Sequence, residues 1–197
     1  MASEGIGLEA ETTLYLGFNS QSTTLSENGP TTTSNQIVTE VSPTVAYFLS
    51  DAVAAGGGLL FSHVGSTSET SSGNVTGSTT DTSSTELGVF GLIGYHYPLS
   101  GFLEAHGRAL AGYSRAGTSA GVPGDGDITD VEVTRHNLLL GLEAGVHADI
   151  QPWLFATVSA RYLFRHAFSV DGSSRLPSDS SSSSHMLMLG VGAGARF

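Results

Sequence analysis

Arginine, glutamate and histidine carry most of the chemistry this sequence could perform. All 7 basic side chains are arginine, 7 histidines accompany them, and lysine and cysteine are absent. The lack of cysteine excludes a thiol nucleophile, a disulfide framework and a cysteine-zinc site. Arg108, Arg135, Arg161, Arg165 and Arg196 stand against Glu9, Glu11, Glu40, Glu104 and Glu143 as a balanced set. Opposite charges that pair offset the cost of removing each from water. His96, His106 and His147 could bind a transition metal or respond to protons if the fold brought them together. No His-x-His spacing fixes such a site, so the plainer expectation is that they fill a hydrogen-bond network. No metal and no cofactor is assigned. His166 lies close to Ser169, and His136 close to Glu132 and Thr134, which is the proximity a base and a nucleophile require. With 28 serines in the chain such neighbours arise by chance, and no nucleophile motif surrounds them, so an enzyme is not expected.

The elements that must position these residues are strands. In 8–18 the even positions are Leu8, Ala10, Thr12, Leu14, Leu16 and Phe18, and the odd ones are Glu9, Glu11, Thr13, Tyr15 and Gly17. The same period of two runs through seven of eight segments, and it places every one of the paired charges on the face opposite the apolar residues. The segment 53–64 is less clear, because Ala and Gly fill both faces; Val53, Ala55, Leu59 and Phe61 are assigned to its apolar face. Polar tracts at 19–36, 65–85, 117–130 and 169–184 read as long loops, with disorder expected in the serine run 180–184. Short turn signals at 50–51, 97–101 and 149–152 recur at close to a quarter of the 197-residue length. The chain therefore reads as four units of strand, long loop, strand and short turn, forming one domain over 1–197.

Apolar residues on one face and small or charged residues on the other suit a closed barrel with lipid outside. Strands of this length match a bilayer, and an even number of antiparallel strands leaves no edge unpaired. Eight strands leave an interior just wide enough for side chains to fill, so the expected lumen is plugged by the Arg/Glu set, with glycines at 17, 94, 112, 141, 190, 192 and 194 making room. Aromatics gather at the strand ends. Tyr47, Tyr95, Tyr97, Phe102, Trp153 and Phe197 flank the short turns or the C-terminus, and Phe18, Phe61, Tyr113, Phe164 and Phe168 flank the long loops, as two interfacial girdles would. His63, His136, His166 and His185 fit a polar belt at the second of these rims.

The whole chain resembles the small eight-stranded outer-membrane β-barrel family of Gram-negative bacteria, of the outer membrane protein A and opacity types. The likeness rests on Tyr97-Pro-Leu-Ser-Gly-Phe-Leu-Glu-Ala-His-Gly-Arg-Ala-Leu-Ala-Gly-Tyr113, Leu138-Leu-Leu-Gly-Leu-Glu-Ala-Gly-Val-His147 and Leu187-Met-Leu-Gly-Val-Gly-Ala-Gly-Ala-Arg-Phe197. The resemblance implies an all-β, closed, antiparallel, up-and-down transmembrane barrel. It implies short periplasmic turns, both termini in the periplasm and four long extracellular loops. It also implies that Phe197, with Val191 and Leu189 before it, is read by the outer-membrane assembly machinery; Ala195 stands where an aromatic is common in the family. Met1-Ala2-Ser3 runs straight into polar sequence, and the expectation is a mature chain with an added start Met, its signal peptide already removed.

Charge narrows the role. A net charge of −11 argues against nucleic-acid partners. The loops hold acids at 27, 69, 81, 125, 127, 130, 171 and 179 against a single Arg175, and loops on a rigid scaffold are where recognition resides. The run 125–130 offers oxygen ligands but lacks the length and the closing Glu of an EF-hand loop. The expected protein is a monomeric outer-membrane barrel in contact with the bilayer and lipopolysaccharide. Its expected role is structural or adhesin-like, toward an extracellular surface ligand. A narrow channel for small solutes or ions and a lipid A-modifying enzyme, both implied by the resemblance, are the alternatives.

Overall fold

The structure, a computed structural model, describes residues 7–24, 31–72, 75–123, 128–172 and 182–197, with side chains described over 7–18, 33–69, 81–118, 134–168 and 183–197. The strands are β1 (Leu8–Thr24), β2 (Thr31–Phe48), β3 (Val53–Ser72), β4 (Val75–Pro98), β5 (Leu103–Pro123), β6 (Ile128–Gln151), β7 (Leu154–Gly172) and β8 (Ser182–Arg196). Each pairs antiparallel with its neighbours in sequence, and β1 pairs with β8, so the sheet closes as an up-and-down barrel. Among the described residues there is no helix. The C-terminus completes the closure: the Phe197 amide donates to the Leu8 carbonyl at 2.8 Å and the Leu8 amide donates to the Phe197 carbonyl at 3.0 Å.

Alternation sets the two surfaces. On β1, Glu9, Glu11, Thr13 and Tyr15 are buried, while Leu8, Leu14, Leu16 and Phe18 are exposed. The ambiguous segment follows the same rule, with Ala54 and Leu60 inward and Leu59 and Phe61 outward. An apolar outer face with a polar inner one inverts the arrangement of a water-soluble barrel, and its solvent is hydrocarbon. The outward apolar run from Leu8 to Phe18 is ten steps, roughly 33 Å along the strand at about 3.3 Å each, or about 25 Å of height at a tilt of about 40°. That is the height of a lipid-facing band.

Three expectations change. The Ser/Thr-rich tracts are not wholly loops, because the strands run deep into them: β3 and β4 stay paired to Ser72 and Val75, and β8 already contains 182–184 of the serine run. Threonine suits a pleated strand, and once a hairpin is in register the ladder can extend with polar residues on both faces. The interior is not only small and charged, since Tyr15, Val38, Leu60, Phe90, Leu92, Leu110, Leu139, Leu163, Met186 and Met188 form one inner apolar cluster. The glycines mostly make room for this cluster rather than for the charges. A Cβ on Gly190 would lie 2.5 Å from the Tyr15 ring, and one on Gly17 2.8 Å from Met188; only at Gly94, 3.0 Å from the Arg108 Cγ, is the guest an arginine.

The wall has one local irregularity of known cause. Pro43 pairs with Thr12 on β1, but the β2–β3 pairing is interrupted between Val41 and Thr44. Proline has no N–H to donate to β3. The hydroxyl of buried Ser42 donates instead to the Leu59 carbonyl, at 3.3 Å.

Candidate functional site

The inward parity of seven strands builds a continuous chain of alternating charge along the lumen. At the short-turn end Arg196 binds Glu104 at 2.7 Å, Glu9 at 3.0 Å and Asp149 at 3.3 Å. Glu9 also holds Arg108 at 2.9 Å, and Arg108 reaches Glu11 at 2.7 Å and Glu143 at 3.2 Å. Glu143 passes the sequence to Arg161, which it binds at 2.6 Å, and Arg161 binds Glu40 at 2.6 Å. Arg165 ends the chain, 3.5 Å from Glu40 and 2.9 Å from Glu86. Eight of these eleven residues are buried; Arg196 and Glu104 are half-buried and Asp149 is exposed. Buried charges are tolerated here because each guanidinium lies between carboxylates and most fill more than one donor position.

Neutral groups tie the chain down. The Tyr15 hydroxyl donates to Glu143 at 2.7 Å and accepts from Ser159 at 3.2 Å. The Arg161 guanidinium lies 4.0 Å from the Tyr15 ring centroid, within cation–π range. At the long-hairpin end Glu86 accepts from Asn137 at 3.2 Å and from the Ser114 hydroxyl. Glu143 is the hub, touching Arg108, Arg161, Tyr15 and His106.

His96, His106 and His147 converge at the short-turn end. His96 and His106 are register partners across β4 and β5, and the three ring centroids lie 4.2 to 6.0 Å apart. All three are buried. His96 Nδ1 contacts Glu104 at 2.7 Å; the same carboxylate lies 3.5 Å from His147 Nδ1. Gly145 leaves the space His106 occupies, since a Cβ there would fall 2.6 Å from the ring.

The expected charge network is corrected at one end and extended at the other. Arg135 keeps the inward parity but is exposed, and no ion pair is described for it. It stands at the margin of the buried zone, two residues beyond buried Asn137 and opposite buried Ala116, where alternation predicts the face but not the height. Its place is taken by Glu86 with Asn137 and Ser114, and the other unforeseen members are Asp149 at the short-turn end and Tyr15. Glu86 stands at the margin of a tract read as loop, which hid it; its parity with His96 and Gly94 was the available signal.

On the outer surface every residue of the two expected girdles is exposed or half-buried, Trp153 at 54% and Phe168 at 59%. Phe168 sits opposite no residue of β6, where the register shifts. The rim histidines pair locally: His136 with Tyr113, His185 with Tyr162, and His166 with Ser183 at 2.9 Å. His166 thus meets Ser183, and the side chain of Ser169 lies outside the described residues. Among the described residues no carboxylate bonds to His166 in the way that a third member orients a catalytic base. The side chains of the 125–130 run and those of Glu132 and Arg175 also lie outside the described residues.

Comparison with known proteins places this architecture. Residues 7–197 match the outer membrane protein beta-barrel domain family. No curated protein sequence matches the chain. Among solved structures it is similar to the outer membrane protein OprG of Pseudomonas aeruginosa, with a TM-score of 0.58 and 14% identity over 98% of this chain and 96% of that one. It is also similar to Neisserial surface protein A, with a TM-score of 0.50 and 14% identity over 97% of each chain. A third is Ail, the attachment invasion locus protein of Yersinia pestis, solved with the heparin analogue sucrose octasulfate. It gives a TM-score of 0.50 and 14% identity over 98% of this chain and all of that one.

Proposed function

The chain belongs to the outer membrane β-barrel family and resides in the bacterial outer membrane, and from that premise we propose that it is a monomeric structural and surface-interaction protein, adhesin-like, with a plugged lumen and no enzymatic activity. The observation that carries this reading is the ion-pair chain running from Asp149 to Glu86, which together with the inner apolar cluster fills the lumen. The short turns and both termini face the periplasm, and the hairpins that extend β1 to β8 beyond the apolar band stand outside the cell. Phe197, Leu189 and Val191, all exposed on the outer face, serve the assembly machinery, and the two aromatic girdles contact the bilayer and lipopolysaccharide. The hairpins are acidic. A sulfated polyanion such as the analogue bound to Ail would meet like charge here, so the surface ligand is neutral or cationic.

Planar-bilayer recording tests the plug. The refolded barrel is expected to show no stable open state, and a steady conductance would favour the channel reading instead. Cells displaying the barrel should bind a cationic or neutral surface and lose that binding when 25–30 and 173–181 are shortened. The specific observation that favours a second reading, a lipid A-modifying enzyme, is the His166–Ser183 pair at the outer rim. Lipid A from cells expressing the wild type and His166→Ala should be identical; acyl loss confined to the wild type would establish that reading.

A further inference from the structure

The short-turn half of the lumen is short of positive charge. The ion-pair chain contains six buried or half-buried carboxylates (Glu9, Glu11, Glu40, Glu86, Glu104, Glu143) and four guanidinium groups (Arg108, Arg161, Arg165, Arg196), an excess of two negative charges. The imbalance is local. Glu40 and Glu86 are matched by Arg161 and Arg165, and Glu143 has only a share of Arg161 beside Arg108, whereas Glu9, Glu11 and Glu104 face only Arg108 and Arg196. The three inward histidines lie in that same half.

We propose that Glu9, His96 and His147 form a site for one divalent transition-metal ion, of the zinc type, inside the barrel at its short-turn end. One carboxylate oxygen of Glu9 and one ring nitrogen from each histidine lie within 4.8 Å of one another, and all three residues are buried. A metal with bonds of about 2.0–2.2 Å separates tetrahedral donors by roughly 3.4 Å, so the site closes by at most about 1.4 Å on loading. Glu104 Oε1 at 2.7 Å from His96 Nδ1 fixes the tautomer that leaves the Nε2 lone pair free. A carboxylate behind a histidine in this way orients the ring and raises its basicity toward a metal. Arg108 and Arg196 each occupy one oxygen of Glu9, and a carboxylate offers about four lone-pair sites, so acceptor capacity remains. Two imidazoles select against Ca²⁺ and Mg²⁺, which take oxygen ligands. The ion supplies the two missing charges and ties β1, β4 and β6 together across the lumen. Glu104 and Arg196, each about a quarter exposed at the mouth, mark the entry path.

The test uses the full chain refolded in detergent micelles, stripped with chelator, equilibrated with Zn²⁺ at pH 7.5 and passed through gel filtration. One zinc per barrel should survive in the wild type and in a variant with the outward histidines at 63, 136, 166 and 185 changed to alanine. His96→Ala/His147→Ala should lose it, and Glu104→Gln should bind about 10- to 100-fold more weakly. Heat-modifiable gel mobility verifies that each variant is a folded barrel. A wild type that retains no more zinc than the His96→Ala/His147→Ala barrel overturns the proposal and leaves protons to balance the lumen. Co²⁺ titration of the wild type alone gives a readout independent of any variant: a visible ligand-field band supports an imidazole site, and its absence at saturation overturns one.

Discussion

Strand β7 carries two environments one residue apart. Its inward Arg161 and Arg165 are buried among carboxylates, while its outward Tyr162 and Phe168 are exposed. The same contrast holds around the barrel. Inside, interactions are charged, long-range in sequence and shared among several partners; outside, they are apolar or local, such as Tyr162 with neighbouring His185. The inner surface therefore behaves as the specific core of this protein and the outer surface as its solvation layer. A substitution inside should be felt through many partners, and one outside through its depth in the membrane.

The largest effect is expected at the hub of the inner surface. Glu143→Ala takes one buried carboxylate from Arg108, which keeps Glu9 and Glu11, and one from Arg161, which keeps Glu40, and it removes the acceptor of the Tyr15 hydroxyl. Breaking a buried pair on one side costs about 3–5 kcal/mol. Urea unfolding of the refolded barrel in vesicles should show a loss of that size, with m unchanged. A loss below about 1 kcal/mol would mean that water, not pairing, solvates the lumen.

The outer surface should respond to height rather than to partners. Leu14 lies near the middle of the outward run on β1 and Phe18 at its edge. An arginine facing lipid costs about 2–4 kcal/mol at the midplane and about 0–1 near an interface. Leu14→Arg and Phe18→Arg should divide accordingly in the same assay. Equal costs would place the band elsewhere on the barrel.

What could be read from the sequence divides along the same line. Parity was legible because the period of two is unbroken from Leu8 to Phe18 and from Leu87 to Tyr97, and every inward Arg and Glu stands where alternation puts it. Height was not. Arg135 and Arg165 share a parity, yet one is exposed and the other buried, because strand tilt and register decide which inward residues reach the filled zone. The convergence of Glu9 with His96 and His147 depends on barrel curvature bringing β1 across to β4 and β6, and no local pattern encodes that. The hairpin extensions were illegible for a different reason: threonine and serine tracts satisfy a strand ladder as well as a loop, and pairing between two such tracts is a property of both together.

Packing inside the lumen gives a smaller effect. Gly190 faces the Tyr15 ring, and a Cβ there would lie 2.5 Å from it with the Thr13 methyl at 2.8 Å. Gly190→Ala should cost about 1–3 kcal/mol by overpacking. Thr12, on the lipid side of the neighbouring strand β1, tolerates Thr12→Ala at under about 0.5 kcal/mol, since surface substitutions away from special features are nearly neutral. If Gly190→Ala were neutral, the Tyr15 ring would be free to move and the inner cluster would be looser than its burial implies.

The finest comparison removes one hydroxyl from each surface. Tyr15→Phe deletes a buried donor to Glu143 at 2.7 Å; Tyr162→Phe deletes an exposed one paired with His185. Hydrogen bonds to charged groups contribute about 1.5–3 kcal/mol, and neutral ones about 0.5–1.5, less where solvent can replace them. Tyr15→Phe is therefore expected to lower stability by about 2 kcal/mol and Tyr162→Phe by about 0.5 kcal/mol. The Tyr15 ring stays beneath Arg161 in the variant, so the cation–π contact at 4.0 Å is retained and the loss isolates the hydroxyl. Combining Tyr15→Phe with Glu143→Gln should give less than the sum of the two, because both act on one bond. Tyr162→Phe should add fully to either. Additivity at Tyr15 would break the distinction between a shared inner network and a local outer rim.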